Sequence, residues 1–258
     1  MKNIAAVALN TFREAVRDRV MYNLVFFALL MMGAAILVGQ ISIGIEEIVI
    51  VSLGLSAISF IGLLMAVFIG VGLVSKEMDK RTIYALLAKP VRRWEFLVGK
   101  FAGLVFTLAV NTTAMAAGLF LALFYVRHSL QPSDLGLLVA VYFILLKLAI
   151  VVALALLFSC STTSLLSILY SAGLYIAGSF VQQMRTLRSD LAGPTTAAIM
   201  RWLSYLLPNF ENFSVTGSVA HGVAIPRALI LQNTLYAALY CAVVLTGAAI
   251  IFSRRNLK

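Results

Sequence analysis

Four stretches of this chain, 20–45, 48–75, 101–126 and 228–253, contain no Asp, Glu, Lys or Arg. Each exceeds the ~20 apolar residues that a helix needs to cross bilayer hydrocarbon. A fifth stretch, Leu135 to Met184, carries only Lys147 and is too long for one crossing. Its polar cluster Ser159-Cys160-Ser161-Thr162-Thr163-Ser164 is of the kind that forms turns, and divides it in two. The runs are continuously apolar, without period-two alternation, which favours helices over barrel strands. The expected fold is all-α and integral to the membrane: one transmembrane domain over 1–258, with six helices near 22–41, 49–74, 98–125, 135–158, 164–183 and 229–252.

Composition excludes the soluble class. Mean hydropathy is +1.02 and 12% of residues are charged, against about 25% in soluble domains. The net charge of +10 does not point to nucleic acid, because the charges lie in loops between apolar runs rather than on one soluble face. They set orientation instead. With the N-terminus inside, fourteen Lys and Arg are cytoplasmic and five (Arg127, Arg185, Arg188, Arg201, Arg227) are outside. The positive-inside rule therefore places both termini in the cytoplasm of a multi-pass protein, in the cell's inner membrane. Tyr22, Trp94 and Tyr125 fall near the expected interfaces. No cleaved leader is expected, since Arg13, Glu14, Arg17, Asp18 and Arg19 stand where a cleavage site would lie.

Ahead of the first span, Ile4, Val7, Ala8, Ala15 and Val16 recur near helical spacing, with charges on other faces. Residues 1–20 thus read as an amphipathic helix in the inner headgroup layer, or as a cytoplasmic extension of the first span. Between spans two and three, residues 76–96 form a cytoplasmic loop dense in charge. From Lys76 to Lys100 it holds seven Lys/Arg and three Asp/Glu. Glu77 and Arg81 are paired at i, i+4, and Ile83, Leu86 and Leu87 make an apolar stripe. Pro90 ends that short helix at Lys89. An amphipathic helix held between two long helices is a docking element for another molecule.

The order Glu77, Thr82, Leu86-Leu87, Pro90, Arg92-Arg93, Glu95, Gly99-Lys100 resembles the first cytoplasmic loop of ABC-2 type permeases. The N-terminal helix, the six spans, the long outer segment with Pro208-Asn209-Phe210 and the terminal Phe252-Ser253-Arg254-Arg255 extend the likeness over the whole chain. It is similar in particular to the sodium-export and nitrous-oxide-reductase-maturation permeases, whose ATPase is a separate polypeptide. One departure is Arg81, where such loops commonly carry Gly before the Thr.

The resemblance implies that the loop's helix sits in a groove of an ATP-binding subunit and transmits its closure. Glu77, Thr82, Leu86, Leu87, Arg92 and Arg93 then become contact or support residues for ATPase coupling, with Pro90 as the stop. Two ATPase copies require two such loops, hence a second copy of this chain or a similar permease. The chain itself is expected to be non-catalytic and to bind no cofactor. Gly99-Lys100 is its only Gly-Lys pair, and it lacks the rest of a phosphate-binding loop. ATP and Mg belong to the partner.

Within the membrane, Lys147 lies at the middle of the fourth span with no Asp or Glu near the centre of any span. Such a group is a functional candidate. Its partner is a hydroxyl, a backbone carbonyl, a lipid phosphate, a substrate anion or another subunit's carboxylate. Asn111, Thr112 and Thr113 read as packing or pathway lining, as do Ala114 and Gly118, and Gly99…Gly103 is a GxxxG. The outer segment 184–227 is a lid or a docking surface for an extracytoplasmic protein.

Other functions fit less well. Cys160 and Cys241 have no ligand spacing, nor do His128 and His221, and Val51 occupies the arginine place of an EExxxR motif begun by Glu46-Glu47. An ion-coupled secondary transporter would place carboxylates at mid-depth. An ATP-driven machine that moves an outer partner without exporting solute shares the coupling loop and stays open.

Overall fold

The computed structural model describes residues 2–15, 44–79, 92–129, 134–183 and 207–254, with Trp202 and scattered positions between 26 and 38. All regular elements among these residues are helical. They are α1 (Lys2–Ala15), α2 (Glu46–Asp79), α3 (Arg93–Arg127), α4 (Leu135–Ser161), α5 (Ser164–Ser179), a 3-10 turn (Glu211–Phe213), a short α6 (Thr216–Ala220) and α7 (Arg227–Arg254). Among the described residues four stretches are long and apolar enough to cross a membrane: Glu46–Gly72, Trp94–Arg127, Leu135–Ser161 and Arg227–Ser253. The expected first span falls largely outside the described residues; within it Phe27 and Met31 are buried helical positions. The expected fifth, α5, is apolar but has only 16 residues. At 1.5 Å per residue that is about 24 Å, short of the ~30 Å hydrocarbon layer.

α4 is the hub. It packs against α2, α3, α5 and α7, and 67% of its apolar window is buried, against 28% for α7. Small side chains, or none, allow the close crossings. A Cβ on Gly62 of α2 would lie 2.5 Å from Leu148 Cδ1 of α4, and one on Gly70 would lie 3.2 Å from Ala155 Cβ. Leucine knobs thus enter glycine holes, the packing that serves where lipid is as apolar as the core.

Two helices outrun their expected ends. α2 continues through Lys76, Glu77 and Met78 to Asp79, and α3 begins at Arg93. Charges at a membrane surface are solvated and need not end a helix. Trp94 and Tyr125, both exposed, are 31 residues apart on α3, about 46 Å along its axis. That matches the full bilayer with its headgroups and places an aromatic at each interface.

Residues 207–220 pack onto the bundle. Phe210, Phe213, Val215 and Val219 are buried. The Phe210 N–H donates to the Gly178 carbonyl at 3.3 Å, and its ring packs 5.1 Å from Tyr175. Phe213 meets Phe143 edge-on at 6.4 Å. The Asn209 N–H donates to the Tyr236 hydroxyl at 3.0 Å, and Asn233 Nδ2 to the Asn212 carbonyl at 2.8 Å. This turn completes the end that the short α5 leaves uncovered.

Candidate functional site

At the α1 end of the bundle, α2 and α3 frame the segment 80–91. Thr82, Leu86, Leu87 and Pro90 lie outside the described residues. Glu77 is in the last turns of α2, and Arg93 opens α3. Arg92 caps α3 in extended conformation (φ −68, ψ 143), its N–H donating to Glu95 Oε2 at 3.1 Å. Arginine has no side-chain acceptor, so this is the Glu half of a capping box alone.

α1 lies along the first half of α3. The Gly99…Gly103 pair makes this possible: a Cβ on Gly99 would stand 2.7 Å from Val7 Cβ, and one on Gly103 2.6 Å from the Ala8 carbonyl oxygen. Thr11 and Ala15 are fully buried, while Leu9 and Arg13 face outward. Lys100 is 1% exposed, with Nζ 3.7 Å from Glu14 Oε2 and 5.8 Å from the Phe96 ring centre. Phe12 meets Phe106 edge-on at 4.8 Å. A small cluster of Leu97, Cys160, Ala248 and Phe252 ties α3, α4 and α7 together at the same end. The apolar face of α1 is thus spent on α3, a use that the GxxxG spacing signals.

Deeper in, Lys147 is 9% exposed. Its Nζ donates to Ser59 Oγ of α2 at 2.6 Å and lies 5.8 Å from the ring centre of Tyr175 of α5. Of the partners open to it in sequence, the described residues supply a hydroxyl. Twelve residues separate Lys147 from the start of α4 and fourteen from its end, about 18 and 21 Å. An ammonium at that depth costs about 2.5–3.5 kcal/mol on insertion scales, and a hydroxyl and a ring face return only part of it.

The Asn111–Thr113 run divides. Asn111 is buried, with Nδ2 against Met65 Sδ of α2 and Oδ1 lacking a hydrogen-bond partner. Thr112 is buried and donates to its own helix, at the Leu108 carbonyl 2.8 Å away, which satisfies it locally. Thr113 and Ala114 are exposed on the outer face of α3. Asn111 alone of the three joins two spans.

The opposite end holds an ion cluster that residue order does not reveal. The Arg127 guanidinium, at the end of α3, bonds Glu47 in the first turn of α2 and Asp134 Oδ1 just before α4, the latter at 2.8 Å. Arg127 and Asp134 side chains are about nine-tenths buried; Glu47 is 45% exposed. Beside them is an open cavity of about 270 Å³, lined also by Leu137, Val219 and His221. Charge-assisted bonds of this kind are the stronger ones, and here they pin the ends of three spans. Among the described residues no group of His, Cys, Asp or Glu is arranged to hold a metal, and Cys160 and Cys241 are buried free thiols.

Membrane-length helices around an apolar hub, with polar side chains at mid-depth, define an integral membrane protein. Over residues 5–257 the chain matches the family described as ABC-2 family transporter protein, and it belongs to that family. No curated protein matches it. Membership makes it a membrane permease subunit of an ABC transporter, of a kind that is generally non-catalytic and typically works with an ABC ATPase subunit.

Proposed function

We propose that this permease couples ATP hydrolysis on a separate ATPase subunit to export across the inner membrane, with both termini cytoplasmic. Two ATPase copies, carrying ATP and Mg, act on two coupling loops, one from each of a pair of permeases. The segment 80–91 is the contact, with Leu86 and Leu87 entering the ATPase surface and Glu77, Thr82, Arg92 and Arg93 supporting them.

One observation carries this reading. The two helices that frame the segment are single rods running from it past mid-depth, where α2 presents Ser59 and Met65 and α3 presents Asn111. A push on the segment therefore displaces the polar positions of the bundle without an intervening hinge. The docking of α1 on α3 at Gly99 and Gly103 stiffens that end.

The test replaces Leu86 and Leu87 with Asp. Membrane insertion is expected to persist while co-purification with the ATPase and its stimulated hydrolysis are lost. Normal co-purification and hydrolysis would reject the docking assignment.

A further inference from the structure

Lys147 is the one charged residue within the apolar stretches of this sequence taken as spans. A second copy of the chain would therefore bring a second ammonium and no carboxylate to neutralise it. Its neighbours are a neutral hydroxyl, Ser59 Oγ at 2.6 Å, and the face of Tyr175. Three N–H donors on the ammonium meet one oxygen acceptor among the described residues, leaving capacity for an anionic oxygen.

Lys147 itself is 9% exposed, beside more open neighbours. It lies where α2 and α5 meet, and both Ser59 and Tyr175 are part-exposed. Hydroxyls lead to it from both ends of the bundle. On α5, Ser164, Ser167, Ser171 and Tyr175 follow one another at intervals of three or four residues, which is one helix face. Ser167 and Ser171 donate to carbonyls four residues back, at 2.9 and 2.7 Å, so they sit in the bundle without orphaned groups. On α2, Ser52, Ser56 and Ser59 share a face in the same way, rising toward the Glu47 end. The two hydroxyl lines meet at Lys147.

We infer that the junction of α2, α4 and α5 at Lys147, Ser59 and Tyr175 is a binding site for an anionic oxygen group, a phosphate or carboxylate, with Lys147 as its counter-charge. Resting on the permease reading, this makes the cargo an anion or an anionic amphiphile.

The experiment uses the permease with its ATPase in nanodiscs of phosphatidylcholine, and measures equilibrium binding of labelled dodecyl phosphate and, separately, of inorganic phosphate. Saturable binding of dodecyl phosphate that dodecanol does not displace is expected for the native chain and for Lys147→Arg. Lys147→Met should weaken it about tenfold or more, the effect of losing a charge-assisted bond. Ser59→Asp, which supplies an internal carboxylate, should abolish it and keeps the test open if Lys147→Met folds poorly. Lysine-dependent binding of inorganic phosphate alone would assign the site to an aqueous solute instead of an amphiphile. Binding of both probes that is equal in native, Lys147→Met and Ser59→Asp chains, or absent throughout, overturns the site. A Lys147→Met chain that still co-purifies with the ATPase separates that failure from failure of the permease reading.

Discussion

Gly103 of α3 and Ala8 of α1 approach so closely that a Cβ on the glycine would stand 2.6 Å from the Ala8 carbonyl oxygen. A backbone atom cannot rotate away as a side-chain tip can. Gly103→Ala should therefore push α1 off α3, at about 1–3 kcal/mol, the usual cost of overpacking. Gly72→Ala, where no atom lies within 4 Å of the new methyl, should change stability by no more than about 1 kcal/mol, in the stabilising direction. Thermal unfolding of the two variants in detergent checks the contrast, and transport should fall only with Gly103→Ala.

The Glu47–Arg127–Asp134 cluster predicts an order of effects. Arg127→Gln removes both bonds and leaves the buried Asp134 carboxylate without its cation, costing about 2–3 kcal/mol. Asp134→Asn should follow. Glu47→Gln should cost about 0–1 kcal/mol, because a carboxylate 45% exposed is well screened by solvent. Melting temperatures of the three single variants, ranked, test this.

Asn111 and Thr113 separate packing from pathway. Asn111 has a buried Oδ1 without a partner, so Asn111→Leu should leave stability unchanged or raise it by up to about 1 kcal/mol. If the amide serves transport, the rate falls while the melting temperature holds. Thr113→Val, on an outward-facing position, should alter neither.

Much of the helical layout is legible in the residues, for a physical reason. The uncharged runs near 48–75, 101–126 and 228–253, and the run 135–158 with Lys147 as its single charge, must satisfy their backbone internally, so α2, α3, α4 and α7 follow. The Ser159–Ser164 cluster marks the break between α4 and α5 within a residue or two. The inner face of each helix is not legible, because lipid and core are equally apolar and leave no inside–outside contrast along a span. The bonds Lys147–Ser59 and Arg127–Glu47 join residues 88 and 80 apart, and no local spacing foreshadows them. The Gly99…Gly103 signal, weak as a motif, marks the α1 contact because close backbone approach requires glycine. The docking residues Thr82, Leu86, Leu87 and Pro90 remain a reading of sequence and family.

The central claim is that the segment 80–91 carries the state of the ATPase into the bundle. The most direct measurement uses a single cysteine at Ser56→Cys, on the exposed face of α2, with Cys160 and Cys241 replaced by Ala. Its reaction rate with a water-soluble thiol reagent is followed in nanodiscs, nucleotide-free and ATP-trapped. The rate should differ between the two states in the native loop and become indifferent to nucleotide when Leu86 and Leu87 are Asp. Equal rates in both states of the native loop, or a nucleotide response that survives the Asp pair, would contradict the account.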